Sequence, residues 1–230
     1  LNTLSFIMEG LNGADGETDN IKHRAEGQET GMRALLEYSY LNKDEIKKTV
    51  NTAREKLKLS RAGADVAIRM DHAKGKDTLL LNLRSVYSGK DSLITVTNYN
   101  SAIEPLLTIK KPAAYLIPKA DSLLVAWMNK HEIEYKNFVP DDRQVLKVYN
   151  ISVDDSLMLE GDKIAKVNTD KEDFRGAYSP GGYFIVPINQ LYSNMLVLAL
   201  EPQSIIGLVV YKEFKYLLSG KTYPVLRVEN

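Results

Sequence analysis

The residues best placed to do chemistry stand near the front of the chain. Residues 4–8, Leu-Ser-Phe-Ile-Met, form a short apolar run that ends on the carboxylate of Glu9 and breaks at Gly10. A carboxylate at the end of a buried strand sits on a rigid element. So early in the chain, its partners must come from residues far along it or from other polypeptide.

A second constellation is His23-Arg24-Ala25-Glu26, an H-x-x-E pattern, with His131 far downstream. Two imidazoles and a carboxylate are the ligand set of many catalytic zinc sites. The pattern specifies only two residues, however. It falls in the first turns of a helix that also carries Lys22, Arg24 and Glu29, which reads as a solvated face. His131 ends the helix predicted over 120–130, where a basic group complements the helix dipole. No metal ligand is therefore assigned within the chain. Asn12, Asp15, Glu17 and Asp19 share one loop and supply oxygen donors of the kind that hold calcium, but their order does not fit an EF-hand and such loops are usually solvated. His72, beside Asp71, reads as a strand or turn residue. Gly181-Gly182 lacks the surroundings of a phosphate loop. The absence of cysteine removes thiolate catalysis and disulfides. The thirteen tyrosines could build a glycan- or peptide-binding surface, and core and sheet packing explains them more economically.

The elements that must position these groups follow from periodicity. Met32, Leu35, Leu36, Ser39 and Tyr40, which repeat at three and four residues and are continued by Ile46, Val50, Ala53 and Leu57, predict helix over 21–59. A cap at Asn42 divides it in two, and Asp19 or Asn20 caps its start. Past Gly63 the pattern changes to short runs rich in Val, Ile, Leu and Thr, which predict strands over 64–70, 78–86 and 93–98. Residues 113–138 predict a β-α-β unit with Leu123, Leu124, Trp127 and Met128 on one side of its helix. Further strands are expected over 145–152, 157–159, 164–167 and 183–186, a last helix over 191–200 and a final strand over 224–228. The fold class is α+β, a mixed arrangement. An N-terminal strand and a long helix or helix pair (residues 1–62) precede a mixed-sheet domain with two or three helices (residues 63–230).

Bulk properties bound the function. The chain has 230 residues, with 44% hydrophobic and 26% charged, the range of a folded globular protein. Thirty basic residues balance thirty acidic ones, so no nucleic-acid partner is expected. No apolar run approaches the ~20 residues of a membrane span. The chain opens at Leu1 without a signal-peptide pattern, leaving room for a targeting segment upstream.

Several segments together resemble a known family. Residues 4–10 are similar to the late strand of zinc carboxypeptidases that carries the catalytic glutamate. The helix bearing Arg24, Gln28, Met32, Arg33, Ala34, Leu35, Leu36 and Glu37 resembles the one that closes their catalytic domain. Ala114-Tyr115-Leu116-Ile117-Pro118, Gly181-Gly182-Tyr183-Phe184-Ile185-Val186-Pro187 with Gln190, Leu200-Glu201-Pro202-Gln203-Ser204 and Gly207-Leu208-Val209 resemble a C-terminal region appended to bacterial, carboxypeptidase A-like members. The resemblance implies the C-terminal part of a zinc metallocarboxypeptidase, a hydrolase acting on peptide or protein substrates and secreted or periplasmic. It implies Glu9 as the catalytic residue, and zinc in the parent enzyme but none in this chain, because the family's zinc ligands and substrate-binding arginine precede the strand. The chain alone is then expected to be inactive. The alternative is a non-catalytic accessory module binding peptide, glycan or a partner subunit.

Overall fold

A computed structural model describes residues 3–8, 20–97, 99–141, 143–159, 161–176 and 181–229. It is an α+β fold whose chain divides into two compact units, Leu1–Leu59 and Ser60–Asn230.

The first unit is a helix pair, α1 (Ile21–Leu41) and α2 (Lys43–Lys58), joined at Asn42. Its surface is held by pairs one turn apart, Lys22 with Glu26 and Glu29 with Arg33 on α1, and Glu55 with Lys58 on α2. In α2, Asp44 and Glu45 in the first turn and Lys56 and Lys58 in the last complement the helix dipole. Asn42 marks the break as expected, but not by capping α2. Its side-chain amide donates to the Tyr38 carbonyl at 2.9 Å and closes the end of α1. Asn20 precedes α1 in the left-handed region and makes no side-chain cap. The apolar stripe is also displaced. Met32, Leu36 and Tyr40 are exposed, while Gly31, Leu35 and Ser39 are partly covered. Residues 3–8 do not form the expected buried strand. They carry no ladder hydrogen bonds, and Phe6 and Ile7 are exposed. A strand needs a second edge to pair with, and among the described residues of this unit none is present. Instead Met8 accepts a bond from Gln28 at its carbonyl and lays its thioether where a Cβ on Gly31 would stand.

The second unit begins with a two-stranded arm. Strand β1 (Asp65–Ala73) runs antiparallel to β4 (Ala102–Lys110), and beyond them β2 (Leu79–Arg84) pairs with β3 (Asp91–Val96). The sequence reading placed no strand at 102–110, where Pro105 removes a donor. The ladder absorbs the proline at a bulge: Arg69 faces Leu107 and Met70 faces Pro105, so Leu106 stands unpaired. A second shift on the other strand turns Ile68 into the core, where it is almost fully buried.

The rest is a six-stranded antiparallel sheet made of β5 (Ala114–Pro118), β6 (Lys136–Asn137), β7 (Leu146–Leu159), β8 (Asp162–Asp173), β9 (Tyr183–Pro187) and β10 (Leu226–Val228). Their spatial order is β6-β9-β5-β10-β7-β8. The predicted β-α-β unit is present in split form. Strands β5 and β6 are joined by α3 (Ser122–Lys130), and β9 lies between them, antiparallel to both. Residues 146–159 are one strand and not two. Asp154 is the extra residue of a bulge, between the pairs Val153 with Val167 and Asp155 with Lys166, and its carboxylate accepts from Ser152 and Asn168.

Strand β5 is buried on both faces, which explains its unbroken apolar sequence. Tyr115 and Ile117 face the larger core with Leu124 and Met128 of α3 and with Leu196, Val197 and Leu200 of α4 (Ser193–Leu200). Leu116 and Ala114 face a smaller core with Phe138, Val148, Leu226 and Val228. On α3, Leu124 and Met128 are buried and Trp127 half-buried, while Leu123 remains exposed. Two 3-10 segments, Leu208–Val210 and Lys212–Leu218, follow α4 and close the core with Leu208, Val209 and Leu217.

Tyr223 lies in this larger core, and its hydroxyl has no hydrogen-bond partner among the described residues. An unsatisfied buried hydroxyl costs about 1–3 kcal/mol. Tyr223→Phe is therefore expected to leave stability unchanged or raise it by about 1 kcal/mol in urea unfolding. Burial also pushes the Tyr223 hydroxyl above its ordinary value of 10.0. A raised folded-state pKa contributes stability that is complete below the unfolded value and lost as pH rises through the folded one. The variant should accordingly lose less stability than the parent above about pH 10. A loss of 1 kcal/mol or more at neutral pH would contradict the assignment.

Candidate functional site

The sequence candidates fall as follows. Glu9 lies outside the described residues, as does the acidic loop containing Asn12, Asp15, Glu17 and Asp19. His23 and Glu26 stand one turn apart on the open surface of α1. His131 is the residue at which α3 ends, with its ring 5.6 Å from that of Trp127. Among the described residues no three His, Asp or Glu side chains come together in a way that could hold a metal ion. His72 is exposed on β1, where its backbone N–H donates to the Asp71 carboxylate.

Ionisable groups with displaced pKa values are functional candidates when they line a cleft, and the second unit has two buried clusters to weigh. In the first, Arg227 on β10 forms a close ion pair with Glu201 at the end of α4, both about 2% exposed. Tyr115 donates to the same Glu201 oxygen at 2.6 Å. The remaining guanidinium donors reach the Lys110 carbonyl at 2.7 Å and Glu229 at 3.1 Å, and the cation stands 5.9 Å from the ring centre of Tyr149. Burial disfavours the Arg227 cation, but Glu201, together with Tyr115, Tyr149 and Glu229, outweighs it and holds the guanidinium above its ordinary value. Burial, reinforced by the charge on Glu201, pushes the Tyr115 hydroxyl well up. Each group has its partner among the described residues and none lines the open cavity described below, so the cluster fixes where α4 docks on the sheet.

The second cluster is an ammonium without a carboxylate. Lys111 is 5% exposed and donates to Ser60 at 2.6 Å, Ser193 at 2.8 Å and Asn194 at 2.7 Å. Three acceptors satisfy all three donors, and burial lowers the lysine's pKa. A lysine beside a serine hydroxyl is the outline of a nucleophile with its base. Ser193 is wholly buried, however, and no substrate could reach it. The cluster ties the start of the unit to the first turn of α4.

An open cavity of about 590 Å³ provides what both clusters lack. One wall is the turn from β5 into α3, from Pro118 to Leu123; the other is the end of the second 3-10 segment and the loop after it, through Tyr216, Leu217, Thr222 and Pro224. Local chemistry sets the first wall. Asp121 caps α3, its carboxylate accepting from the Leu124 N–H at 3.0 Å. The same oxygen accepts from the Tyr216 hydroxyl at 2.6 Å, which joins the two walls. Burial, followed by this bond, raises the Tyr216 pKa. The Asp121-Ser122-Leu123-Leu124 run signals the cap, but nothing in the sequence pairs Asp121 with Tyr216.

No protein family, no curated protein and no solved structure matches this chain. No helix among the described residues is long and apolar enough to cross a membrane.

Proposed function

We propose that this chain is the C-terminal portion of a zinc-dependent metallocarboxypeptidase. In this reading it contributes Glu9 to the hydrolysis of C-terminal peptide bonds, followed by a non-catalytic domain. What supports the reading is where the resemblance-bearing segments of residues 114–209 lie. Ala114–Pro118 and Tyr183–Pro187 are neighbouring strands at the centre of the sheet. Glu201 receives Tyr115 and Arg227. Gln190 donates to the Pro187 and Glu134 carbonyls and accepts from the Glu134 N–H. Gln203 donates to the Val167 carbonyl and accepts from Thr169. A Cβ on Gly207 would stand 3.0 Å from the Glu201 carbonyl oxygen. The segments that carry the resemblance thus meet in one mutually dependent core, and that is the support for this reading.

The described residues do not fit a zinc ion, so in this proposal the metal is held by residues outside them. Glu9 would receive a proton from the attacking water and return one to the leaving amine. The protein is exported. The test is to assay the full-length gene product on peptides with a free or an amidated C-terminus. Release of the terminal residue from the free peptide only, abolished by chelation and restored by zinc, is expected. No release from either would sink the reading.

The cavity favours a second reading, in which the unit from Ser60 onward is a binding module. Its volume lies in the range of ligand pockets, about 300–1,000 Å³.

A further inference from the structure

We infer that the cavity between the start of α3 and the loop after the 3-10 segment is a binding site for an alkylammonium group, a cation carried on an apolar stem, with Asp121 as its counter-ion. The inference concerns the second unit alone and does not depend on the carboxypeptidase reading.

The lining has two parts. Pro118, Ala120, Leu123, Leu217 and Pro224 offer an apolar surface suited to a hydrocarbon stem. Asp121 is the only residue among those lining the cavity that carries a formal charge. Its carboxylate is held by the Leu124 N–H and the Tyr216 hydroxyl, and both bonds fall on one oxygen, Oδ1. Oδ2 receives no hydrogen bond among the described residues. The group is thus pinned in orientation with one acceptor unused, a preorganised arrangement that costs a ligand little to engage.

The sign of the local field decides the ligand class. The start of α3 contributes roughly half a positive charge. A full negative charge on Asp121 outweighs it, so the charge borne by the lining itself is negative; Lys215 and Lys221 adjoin the opposite wall along the chain but are not among the residues that line it. Lys119, the nearest cation along the chain, carries its ammonium 5.0 Å from the ring centre of Phe184. An anionic ligand would meet Asp121 unpaired, and a neutral apolar one would leave Oδ2 without a partner. Ser122 and Thr222 also line the cavity, and their hydroxyl oxygens can accept the remaining ammonium donors.

Such a group occurs on a lysine side chain or at a peptide N-terminus. The full chain is titrated, with amide chemical shifts as readout, against Nα-acetyl-lysine N-methylamide, leucine N-methylamide and Nα-acetyl-norleucine N-methylamide. Saturable shifts at residues 118–123 and 216–224 are expected with at least one of the two cations, weakening as salt is raised. Binding of the lysine compound assigns a side chain, and binding of the leucine compound assigns a chain terminus. The norleucine compound should bind at least tenfold more weakly than the lysine compound if the side chain is the ligand. Asp121→Asn is the decisive variant, because asparagine caps a helix about as well as aspartate and the fold is kept. It should lose at least tenfold in affinity with the spectrum otherwise unchanged. Absence of binding by both cations, binding of the norleucine compound as tight as that of the tighter-binding cation, or undiminished binding by Asp121→Asn would each overturn the inference.

Discussion

Glu201→Ala is expected to destabilise the second unit by about 3–5 kcal/mol, the cost of leaving a buried charge without its partner. Arg227 would keep the Lys110 carbonyl and Glu229, but Glu229 is already shared with Lys171. Domains of this kind are stable by only about 5–15 kcal/mol, so the variant loses a large part of its margin. The measurement is a urea titration followed by the fluorescence of Trp127, the sole tryptophan, which packs against the larger core of that unit. The informative control is the double replacement Glu201→Leu with Arg227→Met. Removing both charges leaves no orphan, and buried ion pairs exchanged for apolar residues are often neutral. The double variant should be more stable than Glu201→Ala. A single-variant cost below about 1 kcal/mol, or a double variant worse than the single, would show that the pair is not what seats α4.

Glu9→Gln, made in the full-length gene product, is expected to lower kcat for release of a C-terminal residue by about 10²–10⁴-fold, the usual contribution of a positioned proton-transfer group. Glutamine keeps the shape and hydrogen-bonding reach of glutamate and cannot accept the proton. KM should therefore change little, and so should bound zinc, since the proposal gives Glu9 no ligand role. A variant that loses its metal along with its activity would place Glu9 among the ligands. Unchanged turnover would remove it from the mechanism.

Much of the second unit can be read from its sequence. Strands β5 and β9 and helix α4 announce themselves as apolar runs of the right length, β5 most clearly because both of its faces are buried. The failures have local causes. Strand β4 was hidden by Pro105, whose missing N–H is tolerated only because the ladder slips there. Residues 145–159 looked like two strands because Asp154-Asp155 resembles a turn, and a bulge turned the acidic pair outward instead. Strand β6 shrank to two residues because the chain before it is tied elsewhere: the Ile133 N–H donates to the Met128 carbonyl and the Glu134 N–H to the Gln190 side chain. In the first unit the helix pair was readable from period and charge, whereas the buried strand expected over residues 1–10 rested on apolar content and on the resemblance, and residues 3–8 meet no partner edge among the described residues of the unit. The site was the least accessible part. The cavity depends on Asp121 meeting Tyr216 across 95 positions of chain, and no spacing rule records that.

Strand β10 is only three residues long, yet it stands between β5 and β7. Synthesis delivers it after every other strand of the sheet. Until residues 226–228 leave the ribosome, β5 and β7 face each other across an empty lane and Glu201 waits for Arg227. The sheet therefore cannot be completed before its own last strand is translated, and until then the open edges of β5 and β7 are the surfaces a chaperone would have to shield.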